Sequence, residues 1–269
     1  MSIGFLRDYY VAAGRIGFQR DIQYRAATFV NVLGFMIEPA IYLVVWRTVA
    51  TEQGGVVGGY TVDAFTAYYI VWTLVRVFNL AFAPNAWEWR IRRGRLNEML
   101  SAPVHPFHRD FAYFAGAKFV WTLMWIPVAA VLTVTFRPTL HPTLVQVLGF
   151  VVAIWAGFAV RFVLLYLLGM ITFWTTRGQA IFDLVVAAEL LLSGRLVPLS
   201  LMPDWVQTAS NFVPFRWAFQ FPIEVAIGRI EPLGILTGIG IQILWATGLG
   251  AALAWVWPRA IRRYTAVGG

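Results

Sequence analysis

Four ionisable residues stand out inside the apolar stretches of this chain: Glu38, Arg76, Arg161 and Glu189. Charged side chains are costly in hydrocarbon, so each is a candidate for a substrate path, a proton relay or an internal ion pair. Glu38 precedes Pro39 about eleven residues into its apolar run, hence roughly 16 Å deep at the helical rise. Arg161 and Glu189 fall near mid-depth of two other runs. Either the two residues form a structural pair across neighbouring helices, or they flank a route for cargo. The pair is favoured, because pairing is how a helical bundle usually tolerates such groups. Arg76 lies close enough to the end of its run to snorkel to the interface.

Residues for covalent chemistry are sparse. There is no cysteine, so a thiolate metal site, a Cys nucleophile and a disulfide framework are excluded. The three histidines, His105, His108 and His141, are scattered and lie outside the apolar runs. A serine within a run therefore has no base to activate it. The sequence contains no His-Glu-x-x-His motif and no paired-aspartate motif of a lipid phosphotransferase. Gln53–Gly59 is glycine-rich but lacks the Gly-Lys-Ser/Thr ending that cradles phosphate, and reads as a flexible turn. An intramembrane enzyme and a secondary carrier are the competing classes. The missing histidine weighs against the first, and a single broken helix, where such carriers often show a matched pair, weighs against the second.

The elements that must position these residues are membrane helices. Of 269 residues 59% are hydrophobic and only 13% charged, against roughly half and a quarter in soluble domains. Mean hydropathy is +0.68. About 20 apolar residues are needed to cross a bilayer. Six stretches meet or approach this: 26–50, 64–83, 118–136, 144–174, one from 180 that breaks near Ser193-Gly194, and 233–257. The expected fold is all-α, with six transmembrane helices. Residues 1–25 form an amphipathic interfacial helix with Leu6, Tyr9, Tyr10, Ala13 and Ile16 on one side. Residues 26–269 make the transmembrane domain.

Charge placement orients the spans. With the N-terminus inside, Arg7, Arg15, Arg20, Arg25, Arg90, Arg92, Arg93, Arg95, Arg109, Lys118, Arg177, Arg259, Arg262 and Arg263 fall inside. Arg137, Arg216 and Arg229 fall outside. Fourteen against three is a positive-inside bias that places both termini in the cytoplasm. It also accounts for the pI near 10.2 without nucleic acid. Trp46, Trp87, Trp89, Trp174, Trp205, Trp255 and Trp257 fall near span ends, where tryptophan anchors interfaces.

Two connecting segments carry more order than topology requires. The inner loop, about 84–117, contains a basic helix ending near Gly94. It is followed by Arg95-Leu96-Asn97-Glu98-Met99-Leu100, closed by Pro103 and Pro106. The four arginines here would also serve to bind anionic headgroups. The outer segment, about 193–231, runs Ser193-Gly194-Arg195-Leu196-Val197-Pro198, then Met202-Pro203-Asp204-Trp205, then Asn211-Phe212-Val213-Pro214-Phe215. Pro203-Asp204 can start a helix, and Pro214 and Pro222 are expected to end or kink the helical stretch beyond it. A re-entrant helical hairpin between spans five and six fits this pattern.

At these two segments the sequence resembles the permease subunits of type-2 ATP-binding cassette (ABC) exporters, specifically the short bacterial ABC-2-family proteins. The resemblance rests on Gly94-Arg95-Leu96 to Leu100 followed by Pro103, and on Ser193-Gly194, Pro198, Met202-Pro203-x-Trp205 and Pro214-Phe215. It implies a transport subunit of the bacterial cell membrane without a catalytic site. Half of a twelve-span unit would pair with a second copy or a sister permease, above two cytoplasmic ATPase subunits. ATP and Mg would be bound by those partners, since this chain has no phosphate-binding loop and no cofactor of its own. Coupling to the ATPase would fall to Arg92, Arg93, Gly94, Arg95, Leu96, Asn97, Glu98 and Leu100. The route between the permeases would be lined near Leu74, Phe78, Phe182 and Leu190. It would be capped by the outer hairpin with Gly194, Pro198, Pro203, Trp205 and Pro214.

Overall fold

The computed structural model describes residues 3–81, 85–140, 142–175 and 178–264. His141, Arg177 and the expected span end at Ala83 lie outside the described residues. Two long helices, α1 (Ile3–Gln23) and α2 (Arg25–Glu52), are separated only by Tyr24. A hairpin of β1 (Val56–Val57) and β2 (Tyr60–Thr61) leads into α3 (Val62–Phe78). Then come α4 (Asn85–Arg92), α5 (Arg95–Leu100), α6 (Pro106–Phe136) and α7 (Leu144–Met170), the last extended by a 3-10 turn to Phe173. The chain continues through α8 (Gly178–Leu192), α9 (Asp204–Asn211), α10 (Pro214–Ala218), α11 (Gln220–Ala226) and α12 (Pro232–Arg263).

Local chemistry sets the boundaries. Gly58 and Gly59 both take positive φ, which a tight hairpin turn requires, so the glycine-rich loop is an ordered turn. Thr61 caps α3 by accepting from the Ala64 N–H, and Thr143 and Gln146 form a reciprocal capping box on α7. Proline opens α6, α10 and α12 in their first turns, where its missing N–H costs nothing. Pro214 therefore starts a helix, and Pro222 lies in the first turn of α11. The helical stretch begun at Asp204 is interrupted just before each of them, after Asn211 and at Phe219, and each proline sits in a first turn where its missing N–H removes no intrahelical bond.

Among the described residues, four helices are long and apolar enough to cross a membrane: Arg25–Glu52, Pro106–Phe136, Leu144–Phe173 and Pro232–Arg263. They coincide with the first, third, fourth and sixth expected spans. α3 and α8 are shorter, about 26 Å and 22 Å at 1.5 Å per residue. α3 is nonetheless the central helix, buried on nearly all sides. Tyr68, Tyr69, Trp72 and Val75 pack fully buried in a core completed by Phe158, Phe162 and Tyr166 of α7. α8 is the reverse: only Gly178 and Glu189 are buried, and Leu184 is 71% exposed.

α1 packs along the first half of α6 through small residues. A Cβ on Gly17 would fall on the Tyr113 carbonyl oxygen, and one on Gly116 on the Gly14 carbonyl oxygen, so the two backbones touch. Ala13 is buried in this seam, while Val11 and Ile16 point away from it, Ile16 60% exposed. The buried stripe is therefore the small one, and Ile16 does not join Ala13 on it. Trp87 is also reassigned: it is fully buried against Tyr166, Phe173 and Trp257 instead of anchoring at an interface. Trp89, Trp174, Trp205 and Trp255 are exposed.

Candidate functional site: a chain of buried charges and a surface turn

The bundle brings Arg161 of α7 against Glu189 of α8. Arg161 Nε donates to Glu189 Oε2 at 2.9 Å and Nη2 to Oε1 at 3.2 Å, the two-point geometry that arginine favours. The contact does not end there. Arg195 Nη1 donates to the same carboxylate at 2.7 Å, and Arg195 Nη2 reaches both oxygens of Glu38 on α2, at 3.1 and 3.2 Å. Arg76 of α3 completes the line, 3.4 Å from Glu38. The order is Arg161, Glu189, Arg195, Glu38, Arg76, three guanidiniums against two carboxylates. Arg76 does not snorkel, because α2 packs on α3 and presents Glu38 and the Phe35 ring to it.

The surroundings are built to hold this line. Phe219, fully buried, lies beneath both Arg161 and Arg195, with guanidinium carbons 5.3 and 5.6 Å from the ring centre. Arg161 Nη1 also donates to the Asn79 carbonyl at 2.6 Å, just past the end of α3. Lys118, fully buried, donates to the next carbonyl, Leu80, with its ammonium over the Trp121 and Phe158 rings. Two cations thus cap the C-terminal end of α3, where the helix dipole favours positive charge.

Arg195 reaches the interior because residues 193–198 fold inward. Gly194 has a φ of 79°, and a Cβ there would fall on Gln220 Oε1. Tyr68 donates to the Gly194 carbonyl at 2.8 Å. Tyr69 and Trp46 both donate to the Leu196 carbonyl at 2.9 Å. Gln220 then accepts from the Leu199 N–H at 2.9 Å. Pro198 and Pro214 are buried, whereas Pro203 and Trp205 are exposed at the start of α9. In place of a simple hairpin, three short helices follow, of which α10 and α11 pack on α7.

The turn between α4 and α5 is compact. Gly94 holds a φ of 66°, a left-handed conformation suited to glycine, and directs α5 away from α4. Leu96 and Met99 are its buried anchors, at 0% and 4% exposure. Arg92, Arg93, Arg95, Asn97, Glu98 and Leu100 are exposed. Arg95 pairs with Glu98 at 3.0 Å, and Asn97 accepts from the Tyr264 hydroxyl at 3.0 Å, which ties the turn to the end of α12. Behind it His105 caps α6, its Nδ1 accepting from the Phe107 N–H at 3.2 Å. Burial, with lesser help from neighbouring His108, lowers the His105 pKa below the ordinary imidazole range.

Of the remaining expected residues, Leu74, Phe182 and Leu190 are half-buried on α3 and α8. Phe78 is buried with its ring edge-on to Trp155, 4.9 Å between centres, so within one chain it faces α7. Glu38 as an ion-pair partner and Arg195 as a buried group were not anticipated as a unit with Arg161 and Glu189. The depth of Glu38 was the available signal. Among the described residues, no group of three or more His, Asp or Glu side chains is placed to hold a metal ion.

The family model described as ABC-2 family transporter protein matches residues 36–268, and the chain belongs to that family. No curated protein and no solved structure matches it. Family and apolar helices together make the chain a multi-pass membrane permease component of an ABC transporter.

Proposed function

Starting from that membership, we propose that the chain is one of two permeases in an ATP-driven exporter whose ATPase is a separate polypeptide. The α4–Gly94–α5 turn carries this reading: a short helix anchored by Leu96 and Met99 offers a charged, exposed face suited to a soluble partner. In this proposal Arg92, Arg93, Arg95, Asn97, Glu98 and Leu100 contact the ATPase, and Gly94 and Leu96 hold the turn in shape. This end of the bundle faces the cytoplasm of a bacterial cell, as do both termini. α3 and α8 serve as the second and fifth of six spans, α3 shielded by this chain and α8 by the pairing permease.

The pairing partner, a second copy or a sister permease, covers the under-packed α8. The route for cargo runs along α3 and α8 between the two permeases, past Leu74, Phe182 and Leu190, with Phe78 at the α3–α7 contact. Exposed apolar side chains such as Leu184 suit an amphipathic or hydrophobic cargo. Residues 193–231 cap the outer end.

The test is co-expression with neighbouring genes, purification in mild detergent and measurement of ATP turnover. A stoichiometric ATPase whose turnover depends on the permease is expected. Arg95→Glu with Glu98→Arg and Leu100→Asp should abolish that dependence while leaving the permease folded. Retained coupling in this variant would discard the assignment of the turn.

A further inference from the structure

A cleft of about 480 Å³ opens between α1, the start of α4 and the first turns of α6. Its polar side carries Arg20, Arg90, Arg109 and one carboxylate, Asp110. Arg90 is committed to Asp110 through two bonds, at 2.6 and 3.0 Å. That pair is nearly neutral. Arg109 touches the same carboxylate only at 3.6 Å, with its side chain 45% exposed. Arg20 is exposed and donates to the neutral hydroxyl of Tyr113. The nearest acid to it in sequence, Asp21, accepts instead from Trp121 Nε1 at 2.7 Å. The cleft therefore holds two guanidiniums in excess of its acid.

A second cavity of about 360 Å³ adjoins the first and shares Arg20, Tyr113 and Phe114 with it. Its remaining walls combine the polar Asp21, Thr28 and Asn31 with the apolar Val32, Phe35, Leu80 and Trp121. Val32 and Phe35 belong to α2 and Leu80 lies just past α3, so the pair of cavities runs from a basic mouth toward the body of the bundle. A positive mouth continuous with a channel walled on part of its surface by Val32, Phe35, Phe114 and Trp121 matches a molecule with an anionic head and a hydrocarbon tail.

We propose that this cleft is a binding site for an anionic phospholipid of the surrounding leaflet. The phosphate lies between Arg20 and Arg109, its acyl chain lies past Phe114 and Phe35, and the lipid wedges α1 against α6. The inference goes beyond the transport reading. It requires that the chain sit in a membrane, not that an ATPase couple to it, so the two fail separately.

The experiment is native mass spectrometry of the full-length protein in neutral detergent, titrated with phosphatidylglycerol or phosphatidylcholine. The wild type should retain phosphatidylglycerol preferentially. Arg20→Gln with Arg109→Gln should weaken that binding about twenty-five-fold, at roughly fivefold for each basic residue at a lipid surface. Arg15→Gln with Arg25→Gln, on residues that line neither cavity, should weaken it far less than the cleft variant. Ile16→Asp, at an exposed position on the cleft rim, keeps every arginine and should reproduce the loss should the double variant prove unstable. Excess inorganic phosphate should not compete. Wild-type affinity in both cleft variants, equal loss in the Arg15/Arg25 control, or displacement by phosphate alone would each overturn the assignment.

Discussion

Glu189 accepts hydrogen bonds from two arginines at once and is 2% exposed, so it has no water to fall back on. Removing one member of a buried ionic set leaves the others unpaired, at a cost of about 3–5 kcal/mol. Glu189→Gln should therefore lower unfolding stability in detergent by about that much, read from the shift in denaturation midpoint. Little or no shift would mean that the arginines find other acceptors. Gly194→Ala should cost about 1–3 kcal/mol, since it adds both a strained left-handed backbone and a collision with Gln220. At this scale the sequence announced Arg161 and Glu189, because each interrupts an apolar run. Arg195 was hidden by its setting after Ser193-Gly194, which reads as a span end. Only the inward fold of 193–198, pinned by Tyr68, Tyr69 and Trp46, makes it an interior residue.

The seam between α1 and α6 depends on backbone contact at Gly14, Gly17 and Gly116, the small-residue packing favoured between membrane helices. Gly17→Val should force α1 off α6 and expose the Arg15 and Arg20 peptide bonds. Trypsin cleavage there should accelerate at least several-fold, with the rest of the bundle protected. The start of α6 responds to acid. His105 accepts through Nδ1, which only the neutral ring can do, and its folded-state pKa lies below its unfolded value of about 6.5. Its contribution is fully present above that value and is lost as pH falls toward the folded pKa, because the unfolded chain takes the proton first. A His105→Asn variant should show a shallower loss of stability than wild type on acidification below pH of about 6.5. Sequence reading located the long helices well, since apolar run length is a strong signal. It expected the breaks at Pro214 and Pro222 but not the short helices whose first turns hold them, because a proline that opens a helix and one that ends it look alike until the neighbouring acceptors are placed.

Family membership covers residues 36–268, nearly all of the transmembrane part, and agrees with the composition that already disfavoured a soluble enzyme. The class of protein was readable because lipid as a solvent dictates composition. The partner of α8 was not, since an exposed apolar helix reads the same whether lipid or a second subunit covers it. The proposed partner makes a whole-molecule prediction: cross-links from cysteines introduced at Leu184 should join two permeases in membranes, and a purely monomeric product would remove α8 from the interface. The five-member charge line has one further consequence, an electrical one. With every member ionised it places a net charge of one elementary unit within the transmembrane field. A potential of 100 mV acts on one charge with about 2.3 kcal/mol across the full thickness. Shifting the line by a tenth of that thickness then changes the energy by only about 0.2 kcal/mol, below thermal energy. Provided the line, which ties α2, α3, α7 and α8 together, moves no further than that, turnover of a neutral cargo should be almost indifferent to voltage, and strong voltage dependence in proteoliposomes would report charge on the cargo.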